Sequence, residues 1–356
     1  MVCTLILSSC PSSFQFSIDL HSWTITSSRF KGIKNIPSGL HFISYSSGEE
    51  AGLRSGVWID ATKEKHIMAW DQEAQEFLAY NGDISSDHPE VAPYLAPYPP
   101  STVWPLLTSY IRSDLIDEIL PSWSMTSLTS STTEAAQLSD RLPDHPEETR
   151  IRYTSIRPSR SWKPGATASE ITRDSMDKST LLASLVNGSS SPETNSSKDK
   201  LDILGEMQLA FLHLLLLSNY SSLEHWKNII HVSTFSQSYL LDNPEYFSEF
   251  IDILTAQLKN TPEDFWVDIL TDSSLYTEQQ SLHHNISEIS HIGLDKSLQS
   301  LLDFLSEAYE IDVLDNRVTF LNDEDQELVS LDAEDAEAWE EKGEYAPVVV
   351  NLEESG

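Results

Sequence analysis

The first 80 residues alternate short apolar stretches with turn residues, a pattern typical of β-structure. Phe14, Phe16 and Ile18 alternate with polar side chains, which predicts a strand with one buried face. Strands are predicted over 2–7, 14–18, 40–45, 57–59 and 66–70. The charged turn Lys63-Glu64-Lys65 is expected to join the last two as a pair. Several short strands with regular turns indicate a compact β-sandwich or barrel.

The middle of the chain changes character. Residues 81–100 hold five prolines and read as a connector. Residues 101–120 keep near-helical apolar spacing and predict a helix. Residues 121–147, rich in Ser, Thr, Pro and acid, predict a flexible loop, and Arg150 to Tyr153 alternates again, as a strand returning to the first domain would.

The second half carries helical signals. Thr167 to Glu170 and Ser221 to Glu224 fit capping boxes, in which a hydroxyl and a carboxylate satisfy opposing backbone donors. Asn243-Pro244 and Thr261-Pro262 each predict a helix start. Asp202 to Ser218 is apolar nearly all round, so we expect it at the buried centre of its domain. Two more helices are predicted around 277–292 and 295–312, giving a bundle or solenoid.

These patterns predict an α+β protein of two domains and a tail. The N-terminal β-rich domain, sandwich- or barrel-like, covers 1–160 and contains the flexible loop 121–147. The C-terminal α-helical domain covers 165–315 and contains a second flexible loop, 187–200. Residues 316–356 form an acidic tail that ends in a strand-forming segment. A length of 356 residues fits two domains.

The charge is strongly acidic. The formal net charge is −34, and residues 322–356 alone carry 13 acidic side chains against 1 basic. Because a phosphate backbone is bound by basic surface, the balance argues against strong direct nucleic-acid binding. The longest apolar run, 209–217, is too short to span a membrane. Two cysteines cannot build a disulfide framework, which favours the reducing cytosol or nucleus.

Signatures of catalysis are missing from the sequence: it contains no phosphate loop, dinucleotide fingerprint or nucleophile elbow. The best metal candidate is the group His283, His284, Glu288 and His291. We interpret it as a polar helix surface, since no supporting outer shell is visible. We therefore expect no catalytic residue, no metal and no cofactor.

One stretch, 149–169, has no acid and carries five cations, with Tyr153 and Trp162 interleaved. The cations are Arg150, Arg152, Arg157, Arg160 and Lys163. They could form a small RNA contact. The interpretation we favour is a hairpin and linker whose charges balance acidic neighbours.

The tail ends in Tyr345 to Leu352, where Val348, Val349 and Val350 give high strand propensity. Such a segment can add a strand to the sheet edge of a partner. It can equally dock on its own domain, and the residues alone do not separate these two readings.

Several segments together resemble the AAR-two splicing-factor family, named for a-one/alpha-two repression. They occur in the same order across nearly the whole chain. The segments are Phe16 to Trp23, Phe30 to Phe42, Ala96 to Pro99, Gly165 to Thr172, Leu204 to Phe211, Glu224 to Lys227, Phe265 to Ile269 and Ala346 to Val350.

The resemblance implies an assembly factor and not an enzyme, acting in cytoplasm and nucleus. It implies binding to the RNase H-like and Jab/MPN domains of the Prp-eight scaffold in the U-five small nuclear ribonucleoprotein precursor, which delays the Brr-two helicase. It also implies a VHS-like helical domain and a tail that joins a partner sheet. The partner-binding residues would then be Tyr345, Pro347, Val348, Val349, Val350 and Leu352.

Family members carry a helical stretch before the first strand, whereas in this sequence Met1 lies directly before the first predicted strand. We expect that contacts made through that stretch are missing, or that the start of the protein lies upstream of Met1.

The alternative function is a general helical adaptor that binds peptide cargo outside splicing. The absence of a basic lipid-binding patch argues against a membrane role.

Overall fold

The computed structural model describes nine stretches of the chain: 2–11, 13–27, 29–46, 53–131, 150–186, 202–262, 292–309, 318–320 and 329–331. The chain divides into two compact units. The first comprises residues 1–153 and 205–224, and the second comprises 154–204 and 225–356. The predicted α+β class, β-rich first and helical afterwards, is confirmed. The predicted domain boundaries at 160 and 315 stay predictions.

Ten described strands of the first unit form two five-stranded sheets. The strands are β1 Val2–Ser8, β2 Phe14–Ile18, β3 His21–Ile25, β4 Gly32–Pro37, β5 Leu40–Ser46, β6 Arg54–Asp60, β7 Lys65–Asp71, β8 Glu76–Ala79, β9 Leu95–Pro97 and β10 Ser124–Thr126. One sheet has the order β8-β7-β1-β4-β9 and the other β10-β6-β5-β2-β3. The β1–β7 and β4–β9 pairs are parallel, and the other pairs are antiparallel.

The alternation seen in the sequence builds the core of this unit. Phe14, Phe16 and Ile18 of β2 are fully buried, and they join one apolar cluster with side chains of β1, β4 and β5. At the start of β4, Gly32 has a φ of +125°, and a Cβ there would lie 2.0 Å from the carbonyl oxygen of Leu5. Only glycine fits this close approach of β4 to β1.

The predicted pairing of 57–59 with 66–70 is wrong, although both stretches are strands. β6 pairs with β5 and β10, whereas β7 pairs with β1 and β8 in the other sheet. The turn at 61–64 therefore passes the chain from one sheet to the other. A charged turn marks a change of direction but carries no information about which sheet receives the next strand.

The single helix predicted over 101–120 is also wrong. Two short helices, α1 Trp104–Leu107 and α2 Ser113–Ile119, lie there instead. Arg112 is extended, with φ −123° and ψ 158°, and this ends the helical spacing between them. Farther on, Ile151 forms an isolated parallel bridge with Ser131, so the predicted return to the first unit is a bridge and not a strand.

Seven more described helices follow: α3 Ala168–Met176, α4 Ser179–Val186, α5 Asp202–Leu217, α6 Tyr220–Thr234, α7 Gln237–Asp242, α8 Pro244–Lys259 and α9 Ile292–Tyr309. None of the described helices is long and apolar enough to cross a membrane. A two-stranded antiparallel sheet pairs β11 Val318–Phe320 with β12 Val329–Leu331, inside the region predicted as tail.

The helix starts follow the predicted signals in part. The capping box at Thr167 and Glu170 is confirmed. The box predicted at Ser221 is wrong: α6 begins at Tyr220, and the Oδ1 of Asn219 accepts a hydrogen bond from the backbone N–H of Ser222 at 2.9 Å. The amide of Asn219, two residues before Ser221, therefore fills the capping role.

Pro244 occupies the first position of α8, as predicted, with Asn243 before it. The side chain of Asn243 makes no capping bond and donates to the carbonyl of Tyr239 instead. The apolar side chains Phe247, Phe250 and Leu254 of α8 are buried, and α8 packs against α9 in the second unit. The indole N–H of Trp226 donates to Gln257 Oε1 at 2.9 Å, which ties α6 to α8.

Candidate functional site

A buried carboxylate, Asp19, joins three segments of the first unit. It follows β2 with a φ of +54°, a conformation that Asp tolerates better than most residues. Its Oδ1 accepts the backbone N–H of Phe42 at 3.0 Å, and its Oδ2 contacts His41 Nδ1 at 2.7 Å and the Tyr98 hydroxyl at 2.6 Å. Burying a carboxylate is costly unless it is hydrogen-bonded, and here both oxygens are engaged.

The histidine of this group, His41, has both ring nitrogens occupied. Nδ1 faces Asp19, and Nε2 faces the carbonyl of Pro37 at 3.0 Å. Both ring nitrogens are therefore engaged within the protein. The ring also stacks on Trp104. An Asp–His pair can orient a catalytic base, but this one has no nitrogen left for a substrate. It fastens β5 to the turn after β2.

A second polar network runs through the fully buried His213 of α5. The Trp58 indole, which can only donate, gives its hydrogen to His213 Nε2 at 2.9 Å. Nδ1 therefore carries the ring hydrogen and donates to the Tyr153 hydroxyl at 3.0 Å. Tyr153 in turn donates to Ser222 Oγ at 3.0 Å, and Ser222 donates to Asn219 Oδ1 at 2.8 Å. The Asn219 amide finally donates to the carbonyls of Thr126, Ser127 and Thr129.

This chain of bonds runs in one direction and requires a neutral imidazole. Burial lowers the pKa of His213 to about 3, and it raises the pKa of Tyr153 well above its usual value. Protonated His213 would turn a second N–H toward the Trp58 donor. The network therefore holds β6, α5 and the turn after β10 together. Its polar groups form hydrogen bonds with one another.

Two residues of α5 explain why residues 205–224 belong to the first unit. A Cβ on Gly205 would lie 2.6 Å from both the Tyr110 carbonyl oxygen and Leu115 Cδ2. One turn later, the buried Gln208 accepts the backbone N–H of Tyr110 at 2.8 Å and donates to the carbonyl of Leu106 at 3.0 Å. The helix therefore packs directly on the α1–α2 connection.

Sequence reasoning missed both networks. Asp19, His41, Tyr98 and Gln208 fall in four of the segments that carry the family resemblance, yet they lie far apart in sequence. A signal existed for His213, since it is the one polar residue in the apolar run 209–217. A buried polar residue must find a partner, but the sequence does not say which.

The site residues predicted from the sequence do not belong to either of these two networks. Tyr345, Pro347, Val348, Val349, Val350 and Leu352 fall outside the described residues, as do His283, His284, Glu288 and His291. Within the described residues, no group of three His, Cys, Asp or Glu could hold a metal ion. Of the basic stretch, Arg150 and Arg152 belong to the first unit, and Arg157, Arg160 and Lys163 belong to the second.

Comparison with known proteins agrees with the resemblance. The family model described as AAR2 N-terminal domain matches residues 1–121, and the model described as AAR2 C-terminal repeat region matches 153–314. The Protein AAR2 homolog of Oryctolagus cuniculus is 30% identical over 284 residues, which cover 77% of each chain.

Two further relatives span most of the chain. The Protein AAR2 homolog of Homo sapiens is 28% identical over 338 residues, 83% of this chain and 85% of its own. The A1 cistron-splicing factor AAR2 of Saccharomyces cerevisiae is 23% identical over 318 residues, 79% of this chain and 85% of its own. With both family models matched in order, the chain belongs to the AAR2 family.

Proposed function

We propose that this protein is a non-enzymatic assembly factor of pre-mRNA splicing. It binds the RNase H-like and Jab/MPN domains of the Prp-eight scaffold in the U-five ribonucleoprotein precursor and delays binding of the Brr-two helicase. The observation that carries the proposal is the ordered match to both AAR2 family models, together with the yeast relative named as a splicing factor. A chaperone of this kind works in both cytoplasm and nucleus.

The charge supports a protein partner with a basic surface. A net charge of −34 repels nucleic acid and attracts basic protein surfaces, and it accelerates encounter at low salt. The described polar networks support a binding role as well, since His41 and His213 spend their nitrogens on internal bonds. The acidic surface would shield those faces of Prp-eight that later meet the helicase.

The tail supplies a specific contact in this proposal. Val348, Val349 and Val350 pair as an added strand with an edge of the Prp-eight Jab/MPN sheet, flanked by Tyr345, Pro347 and Leu352. Backbone hydrogen bonds would give affinity, and alternate side chains would fill pockets on the partner.

Proline substitutions test the strand. Successive amides of a strand point to opposite sides, so one of Val348→Pro and Val349→Pro removes a bond to the partner and the other does not. We expect one variant to weaken binding about tenfold more than the other, in line with the loss of about one hydrogen bond. Val349→Thr is the matched control, and it should bind like the parent chain. If removal of 345–352 leaves affinity unchanged, strand addition is wrong.

A competition experiment tests the function itself. A Prp-eight fragment containing both domains is immobilised with or without this protein, and Brr-two is then titrated. The proposal predicts that saturating protein lowers Brr-two capture several-fold, and that the tail-truncated chain lowers it less. Equal capture with and without a bound chain would refute the assembly role.

A further inference from the structure

Three cations lie close together in the sequence of the second unit: Arg157, Arg160 and Lys163. We call these three residues the basic strip. All three side chains are exposed. Pro158–Arg160 forms a 3₁₀ turn that Arg157 precedes. Arg157 and Arg160 therefore stand at the two ends of one short turn. Pro158 and Ser161 are buried beneath them.

Hydrogen bonds connect the segment that carries the basic strip to the end of α3. The Ser161 hydroxyl donates to the carbonyl of Asp174, and the buried Lys178 ammonium donates to the carbonyl of Ser175 at 2.6 Å and reaches Ser161 Oγ at 3.5 Å. Burial lowers the pKa of Lys178, and its charge lies at a helix C-terminus, where the helix dipole favours a cation. The strip is therefore held in place before any ligand arrives.

Within the described residues the strip has no counter-charge. Ion pairs found there include those of His41, Lys65, Arg112 and Arg173. In that part of the chain no carboxylate pairs with Arg157, Arg160 or Lys163. Exposed, pre-positioned and uncompensated cations are unusual on a chain of net charge −34. They form a receptor for carboxylates or phosphates.

We propose that the basic strip binds the acidic segment Asp332–Glu344 of the same chain. That segment holds seven acidic residues and one lysine, and it begins directly after β12 ends at Leu331. A flexible chain of thirteen residues would span about 20 Å, and a tether of that length would give a high effective concentration. Nucleic acid is the weaker candidate, because the whole chain repels polyphosphate.

The docked segment has a consequence for the tail. It holds Tyr345–Leu352 beside the second unit until a partner with a stronger basic surface captures the acidic segment. This consequence rests on the proposed function, whereas the docking does not. Docking can therefore be tested on the full chain alone, so that its failure and a failure of Prp-eight binding are distinguishable.

Carbodiimide coupling on the full-length protein tests the contact, because it joins a lysine to a carboxylate only where they touch. Lys163 is the reporter. We expect monomeric protein to yield a Lys163 link to residues 332–344, read by mass spectrometry, and the yield to fall several-fold at about 0.5 M salt. Arg157→Glu with Arg160→Glu should lower the yield several-fold while keeping the reporter.

The matched control is Lys259→Glu with Lys296→Glu, two exposed cations on α8 and α9 of the same unit. It changes net charge equally and should leave the link unchanged. Adding Glu337→Lys and Glu340→Lys to the arginine variant should restore a link between the two segments. Circular dichroism establishes that each variant is folded.

Three results would overturn the proposal. One is a Lys163 link to residues 140–148 in place of 332–344. Another is an undiminished yield in the folded arginine variant. The third is tight binding of a single-stranded RNA oligonucleotide at about 0.15 M salt that protects Lys163, which would make the strip a nucleic-acid site.

Discussion

The indole N–H of Trp58 donates a hydrogen bond of 2.9 Å to Nε2 of His213, across 155 positions of sequence. This bond fixes the tautomer of His213 and fastens α5 to β6, a strand of the sheet β10-β6-β5-β2-β3. It explains how a helix from the C-terminal half of the chain becomes part of the first unit. The same bond makes the unit sensitive to the protonation of one ring.

Acid should weaken the first unit through His213. Its folded pKa of about 3 lies below the ordinary value of 6.5, so between these values the unfolded chain binds more protons than the folded chain. This contribution is complete above pH 6.5 and is lost as the pH falls toward 3. Lowering the pH from 7.5 to 5.5 should cost about 1 kcal/mol at this site.

Urea unfolding of the parent and of His213→Gln at both pH values checks this. Glutamine can accept from Trp58 and donate to Tyr153 but does not titrate. Between the two pH values we expect the variant to lose about 1 kcal/mol less unfolding free energy than the parent. Equal sensitivity of the two proteins would contradict the assignment of a neutral, buried His213.

Asp19→Asn should destabilise the first unit more than removal of any one partner. The new amide would place a donor against the donors of His41 or Tyr98, at a cost of about 2–4 kcal/mol. Tyr98→Phe removes a single hydrogen bond and should cost about 1 kcal/mol. Denaturant unfolding measures both, and a smaller effect of Asp19→Asn than of Tyr98→Phe would show that the carboxylate is not the centre of this network.

Gly205→Ala should destabilise the chain, although alanine is the better helix former by about 1 kcal/mol. The new Cβ would lie 2.6 Å from the Tyr110 carbonyl oxygen, and backbone cannot yield cheaply, so we expect a net loss of about 1–3 kcal/mol. Gly293→Ala, at an exposed position of α9, is the control and should be neutral or slightly stabilising. Thermal unfolding compares them, and a stabilised Gly205→Ala variant would rule out the tight approach.

A fragment ending at residue 160 should fold poorly. It lacks 205–224, and with them His213, Gln208 and Asn219, so Trp58 and Tyr153 lose buried partners. Adding a synthetic peptide of residues 202–224 should restore cooperative unfolding and resistance to protease. A fragment that is equally stable with and without the peptide would mean that α5 is dispensable to the sandwich.

The sequence predicted what depends on local pattern. Alternation located β2, because Phe14, Phe16 and Ile18 repeat with the period of a strand, and the Thr167 box located the start of α3. Resemblance supplied the family. The apolar character of 202–218 predicted burial, but periodicity cannot say whose core a helix fills, and part of α5 belongs to the sandwich.

What failed depends on distant partners. The turn at 63–65 gave no hint that β6 and β7 belong to different sheets. The cap of α6 is Asn219 because its amide also binds the turn after β10, a contact that the residues around Ser221 do not reveal. The network of Asp19 joins residues up to 79 positions apart, and no local rule pairs them.

Binding to Prp-eight is the most direct test of the central claim. The full-length protein is mixed with the recombinant RNase H-like domain of Prp-eight from the same organism and analysed by size exclusion at about 0.1 M and about 0.5 M salt. We expect a one-to-one complex that weakens as salt rises, because opposite charges contribute to it. The absence of a complex at either salt would contradict the assembly-factor role.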